Sequence, residues 1–447
     1  MTAGVSYTFV GLFAGLLLWL LASGGGAPRP PAGEQPEQAE ISRLHGIRDQ
    51  TAAIRGLDIA SEVREGYLSR EDLSAYIEDV YSVLNPAQRA EIDTLAIMMR
   101  MLRMIGPDDD LLEISAKSAS LGIAGFYDYD QKSLVVVADG LKGGANEEST
   151  FAHEYTHALQ DRRFDLTKFL VFEPEDDGLE YGRTLSCVVE GDASVSALKY
   201  LEGVYGDDWI DVLIADLSSL EEELRSVAEF QSSVPSAILR YTLFNYNECA
   251  SFVLEVWEEG GWEAVNALYG DPPTTTEQVM HPERYFEGEG PLPLELANLR
   301  ASLGLGWRLA QGAAFGEFDL FNYLASAGLA RFAALSAAEG WGAGKLNVYT
   351  LGGGEGIEVL LHIALLWDGA ADLIEFELAF ETALARQGLE LLARGPDSWV
   401  WADLREGSHA SDHGHAVWDS ERNRVDLLFS TDEAVVWNAR EALDSSR

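Results

Sequence analysis

Apolar positions divide the chain into regimes of different period. Val5–Ser23 is a run of 19 residues without a charge, densest over Phe9–Ala22, and Gly24–Glu40, GGGAPRPPAGEQPEQAE, has no apolar period at all. From Ile41 to about Ser120 apolar residues recur at helical spacing. Two start signals mark that stretch: Ser69 three residues before Asp72, and Asn85-Pro86 ahead of Leu95, Ala96, Ile97, Met98 and Met99. The methionines suit core packing. The period then becomes that of strands, predicting a hairpin with arms Phe126–Tyr129 and Leu134–Ala138 around a turn at Asp130-Gln131-Lys132-Ser133.

Helical spacing resumes at Thr150–Asp161, again from about Leu179 to Tyr200, and in the acidic amphipathic stretch LIADLSSLEEELRSVAEF between Tyr205 and Ser233. Tyr241, Phe244, Tyr246, Phe252 and Trp257 form an aromatic stripe that reads as core. Gly260-Gly261 ends that helix, Trp262–Tyr269 begins the next, and Pro272–Tyr285 closes the unit. The pattern changes at Gly288–Pro293. Beyond it lie helices near Leu296–Gln311, Leu320–Glu339 and Ala371–Arg386, with strands near Leu346–Tyr349, Ile357–Trp367, His415–Trp418 and Val425–Ser430. No repeat of 20–50 residues is present. The expected fold class is α+β. Residues 1–23 would be a signal peptide or transmembrane anchor and 24–40 a disordered tether. A mainly helical domain would span 41–290, with a small β-sheet or hairpin before the helix at Thr150, and a second α+β domain 291–447.

The N-terminal run is intermediate in length between a signal-peptide core and a membrane span. No Lys or Arg precedes it, which favours an uncleaved anchor, while Ala22-Ser23-Gly24 offers a cleavage site for the signal-peptide alternative. Either reading places the body outside the cytoplasm, secreted or membrane-anchored. Net charge is −43, from 74 acidic and 31 basic residues, of which six are lysines. That balance excludes nucleic acid as a partner, because no basic stripe is available to neutralise phosphates. The acids are distributed along the chain, as a solubilising surface would be. Two cysteines, Cys187 and Cys249, give no disulfide framework; they could pair in an oxidising compartment, but Cys187 reads more readily as a small buried side chain.

The chemistry concentrates in TFAHEYTHALQD. His153 and His157 project from one helical face a turn apart, with Glu154 a quarter turn round, while Phe151, Tyr155, Ala158 and Leu159 cluster opposite. Such a helix would bury one face and offer the histidines to a cleft. Two imidazoles at this spacing can grip one metal ion, and a carboxylate beside them can take a proton from a water. The third ligand expected is Glu190 in CVVEGDAS, 33 positions after His157, on a helix whose same-face neighbours Ser186, Cys187, Ala193, Ser194 and Ala197 are small enough for close approach. A second trio, His409, His413 and His415, has irregular spacing for one site.

HExxH followed by a glutamate on a downstream helix resembles the gluzincin branch of the zincin metallopeptidases. The run GFYDYDQKSLVVV, then HEYTHALQD, EGDA, GGW and PPTTTEQVMHPERY is similar to a group of exported or membrane-tethered zincin-like proteins, over about Ala124–Tyr285. The resemblance implies a zincin-like fold, one Zn²⁺ per chain on His153, His157 and Glu190, and Glu154 as the catalytic base. It also implies a peptide or protein substrate, with the strand before the motif helix as the edge along which that substrate pairs. An oxyanion donor would come from beyond the third ligand, where His281, Tyr246 and Tyr241 stand. Ser194 occupies the register in which thermolysin carries an orienting aspartate, and Asp192 would point to the other side of the helix; Gln160 and Asp161 are the alternatives for orienting a ligand. The expectation is therefore an extracytoplasmic zinc endopeptidase, with a non-catalytic tethered binding or assembly protein on the same scaffold as the alternative.

Overall fold

The computed structural model describes residues 36–59, 63–122, 125–129, 131–137, 143–170, 178–219, 232, 234–352, 357–405 and 412–446. The apolar run Val5–Ser23, most of the tether, His409 and the end of the acidic helix lie outside them. Among the described residues no helix is long and apolar enough to cross a membrane.

The helical N-terminal region forms as its pattern requires. A helix Gln38–Arg55 ends on Gly56 in the left-handed region, and it begins three residues inside the stretch expected to be tether. Ser69 caps the helix Arg70–Ser82, its hydroxyl accepting from the Asp72 N–H. Asn85 and Gln88 cap Pro86–Met101 reciprocally, each side-chain oxygen accepting the other's backbone N–H at 3.0 Å. The hairpin is present as β2 (Gly125–Asp128) and β3 (Ser133–Val137), but a third strand, β1 (Arg64–Leu68), pairs with β3 in parallel, giving the order β1-β3-β2.

Below this sheet runs the motif helix, Ala145–Phe164, packed against Gln38–Arg55 and against the long helix Gly178–Tyr205 that carries Glu190. Every residue from Phe151 to Asp161 is buried. The helix is thus enclosed all round, and its polar face meets other side chains where an open cleft was expected. The long helix packs in turn on Glu248–Ala267. Their approach is close because Gly191 has no side chain: a Cβ there would sit 2.5 Å from the Cys249 carbonyl oxygen and 2.6 Å from Val253. A disulfide joins Cys187 to Cys249 across the same contact, Cα to Cα 5.0 Å, in place of the free buried thiol expected for Cys187.

The C-terminal part is a seven-stranded antiparallel sheet of β4 (Arg308–Ala314), β5 (Trp341–Leu351), β6 (Glu358–Trp367), β7 (Glu390–Arg394), β8 (Ser398–Ala402), β9 (His413–Asp419) and β10 (Arg424–Ser430), in the order β4-β5-β6-β10-β9-β8-β7. Helix Ala370–Arg386 covers one face, where Phe376 and Phe380 meet Trp367, Trp399, Trp401 and Trp418; helix Glu433–Ser446 covers the other. Two expectations fail here. Leu296–Gln311 contains only the short helix Arg300–Leu303 before β4 begins, and Leu320–Glu339 is two helices, Glu317–Ser326 and Arg331–Ser336, parted at Gly328 with φ +92°. Gly304 and Gly306, both at positive φ, stop the first helix. One apolar cluster runs from Val135, Cys187 and Phe244 through Phe318 to Phe380 and Trp418, across the boundary near residue 290.

His415 sits inside this sheet, beside Trp437, with neither ring nitrogen hydrogen-bonded among the described residues. Burial, then Arg440, pushes its imidazole down to about 4. Folded His415 is therefore neutral where the unfolded side chain, near 6.5, takes a proton. Its contribution is complete above pH 6.5 and is lost as pH falls from 6.5 through 4. His415→Leu should flatten the fall in urea midpoint over that window, by at most about 3 kcal/mol and less where solvent reaches the ring.

Candidate metal centre

His153 and His157 lie one turn apart with ring centroids 4.9 Å from each other. Gln160, a further turn on, fixes the second ring. Its amide N–H donates to the Val189 carbonyl at 2.9 Å, so its oxygen must be the atom 2.9 Å from His157 Nδ1. That oxygen can only accept. Nδ1 therefore carries the proton, and the lone pair is on Nε2. Of the two residues expected to orient a ligand, Gln160 is bonded to His157. Asp161 instead accepts from the Tyr127 hydroxyl and Lys132 and receives the Leu166 N–H.

Glu190 faces both rings. Its Oε2 lies 3.3 Å from His153 Nε2 and its Oε1 3.8 Å from His157 Nε2. The side chain is 1 % exposed, and neither oxygen has an aligned hydrogen-bond partner among the described residues. One ligand atom from each of the three residues falls within 4.8 Å of the others, the only such group of His, Cys, Asp or Glu among the described residues. Burial is the largest influence on His157 and holds its imidazole below the ordinary range. Burial also raises Glu190, but His157, His153 and the Tyr246 hydroxyl outweigh it and leave the carboxyl below the usual carboxylate range. A buried carboxylate thus faces the Nε2 atoms of two imidazoles, one of which, on His157, bears a lone pair in the tautomer that Gln160 selects. Such an arrangement is costly alone and favourable around a cation. The donor set thus fits a divalent metal.

Glu154 lies under β2. Its Cγ comes within 3.3 Å of where a Gly125 Cβ would stand, and the Tyr127 backbone N–H donates to its carboxylate. Burial first, and then the Glu190 charge, push its carboxyl well above the usual range. Two tyrosines complete the surround. Tyr246, at the end of helix Ser236–Tyr246, has its ring 6.0 Å from His153 and its hydroxyl toward Glu190. Tyr129, just after β2, is fully buried 6.3 Å from the His157 ring, its hydroxyl without a partner among the described residues. Burial holds both phenols well above their ordinary value, so both keep their protons. In the sequence Tyr129 reads only as the end of a strand, and spacing along the chain holds no further signal for it.

The other residues singled out are committed elsewhere. Tyr241 donates to Asp319 at 2.7 Å beneath Arg183, and His281 pairs with Glu317 at 2.9 Å, which raises its imidazole pKa. His281 thus meets the second unit instead of the histidine pair. Asp192 points away from the cluster, as its register requires, and forms a buried bidentate pair with Arg55 at 2.7 and 3.0 Å. Tyr269 donates to the same carboxylate and Asn266 accepts from Arg55, whose guanidinium lies 4.5 Å over Trp262.

Comparison with known proteins bears on the other end of the chain. Residues 307–428, from the start of the large sheet to β10, match a family model described as "Domain of unknown function (DUF8575)". No curated protein and no solved structure matches the chain.

Proposed function

We propose that this chain is a zinc-dependent hydrolase of peptide bonds, gluzincin-like in its ligand set and acting outside the cytoplasm. The observation that carries the reading is Glu190: a buried carboxylate with no aligned donor, facing the Nε2 atoms of two histidines on the next helix. His153, His157 and Glu190 would hold the ion. A zinc ion so bound supplies Lewis acidity, polarising a carbonyl and lowering the pKa of water to about 7.

The protein's own groups do the rest. Glu154, held by the Tyr127 N–H, would take the proton of the attacking water, once a cation on Glu190 offsets the charge that raises its carboxyl, and return it to the departing amine. Tyr246, kept protonated by burial, donates to the oxygen on which negative charge develops. Gln160 holds His157 in the tautomer a ligand needs. Strand β2 is an edge of the small sheet above Glu154, the position from which a substrate main chain would be paired, though its four residues are buried and pairing requires that covering to open. The apolar run Val5–Ser23 and the Cys187–Cys249 disulfide support an extracytoplasmic setting.

Zinc content of the purified chain tests the ligand set. About one zinc per chain is expected, with affinity at least tenfold weaker in Glu190→Ala. Absence of zinc from both proteins after reconstitution would sink the assignment and favour a non-catalytic tethered binding protein.

A further inference from the structure

We propose that Tyr129 orients the third ligand: its hydroxyl donates to the Glu190 carboxylate when a cation is held there, and so tightens the metal centre. The inference rests on the metal reading of His153, His157 and Glu190 and deepens it. Tyr129 is in this sense a positioning residue, which acts on the ion through the ligand it holds.

A donor and an acceptor without partners share this pocket. The Tyr129 side chain is 1 % exposed, and its hydroxyl has no hydrogen-bond partner among the described residues. Neither Glu190 oxygen has an aligned one. Each group is costly to enclose alone, and each offers what the other lacks. Of the charges around the Tyr129 phenol, that of Glu190 acts on it most strongly, ahead of Glu154 and Asp161. Oε1 is the Glu190 oxygen turned to His157, 3.8 Å from its Nε2, and the Tyr129 ring packs edge-on to that imidazole with centroids 6.3 Å apart. Tyr246 reaches the same carboxylate from beside His153.

The other acceptors nearby are less suited. Asp161 already accepts from the Tyr127 hydroxyl and Lys132. Burial, then Glu190, hold the Glu154 carboxyl well above the usual range, whereas Glu190 stays below it despite burial, and a charged acceptor makes the stronger bond. The ring is also fixed in place. Tyr127 packs edge-on to it at 5.4 Å, and the turn beyond is closed by the Gln131 N–H donating to Asp128 Oδ1 at 2.9 Å.

A carboxylate that ligates through one oxygen keeps the other free to accept, and a hydrogen bond to it fixes the carboxylate's orientation. Without the ion the unmatched hydroxyl only adds to the cost of burial. Tyr129→Phe removes that one oxygen and keeps the ring, so it should act on the two states in opposite directions.

Zinc affinity of the full chain, measured by competition with a chromophoric chelator, and thermal unfolding of the metal-free protein test this in parent and Tyr129→Phe. The variant should bind zinc at least tenfold more weakly and, metal-free, unfold at the parent's temperature or above. A tyrosine serving the fold alone would do the reverse. Affinity within about twofold of a parent that binds zinc would overturn the proposal and leave the ligand set standing. So would a metal-free variant that unfolds more than about 2 °C lower. A parent that binds no zinc would sink the ligand set, and the role of Tyr129 with it.

Discussion

If the proposed function holds, replacing Glu154 with glutamine should abolish peptide hydrolysis, by roughly 10³-fold or more, and leave zinc content at the parent level. The two halves of that expectation have separate causes. Glutamine keeps the volume beneath β2 and can still meet the Tyr127 N–H through its oxygen, so the pocket has no reason to collapse. It cannot take a proton from water. The substitution leaves His153, His157 and Glu190 untouched, so an ion held by them should stay. A protease assay beside metal analysis reads both quantities, and parent-level cleavage by this variant would remove Glu154 from the mechanism.

The second large effect concerns the Arg55–Asp192 pair. Both side chains are fully buried, and the carboxylate also receives Tyr269. Arg55→Ala strands a buried charge two residues past Glu190, at an expected cost of about 3–5 kcal/mol in stability. Chemical denaturation measures it. An Arg55→Met, Asp192→Leu double variant removes both charges and should recover much of the loss, because well-packed apolar groups replace a buried ion pair at little net cost. A loss below about 1 kcal/mol in the single variant would mean that water reaches the pair.

Local signals carried the sequence reading where the chemistry is local. The Ser69 and Asn85 caps, the hairpin, the break at Gly260-Gly261 and the Glu190 face of the long helix all follow from residues within a few positions of one another. What required the fold was brought together from afar. Strand β1 pairs with β3 at a separation no periodicity reports, with Arg64 opposite Ser133. Tyr129 and Tyr246 meet at one cluster from two elements, and nothing in the chain marks either as belonging with His153. His281 was drawn toward Glu317 by a partner 36 positions on. In the C-terminal part the failures were of period: Leu296–Gln311 is apolar enough for a helix, but Gly304 and Gly306 turn it into a strand approach. Strands β7 and β8, five residues each, were too short to stand out between longer elements.

The disulfide also sets a distance. Glu190 stands three residues after Cys187, and Tyr246 three residues before Cys249. One covalent bond therefore gauges the gap between Glu190 and the neighbouring Tyr246, and it closes a loop whose constraint of the unfolded chain is worth roughly 4 kcal/mol. In reducing surroundings the histidine pair would persist on its own helix while that gauge came undone. The spacing of this cluster is thereby keyed to the redox state of its surroundings, and with the bond reduced His153, His157 and Glu190 would remain without that calibration.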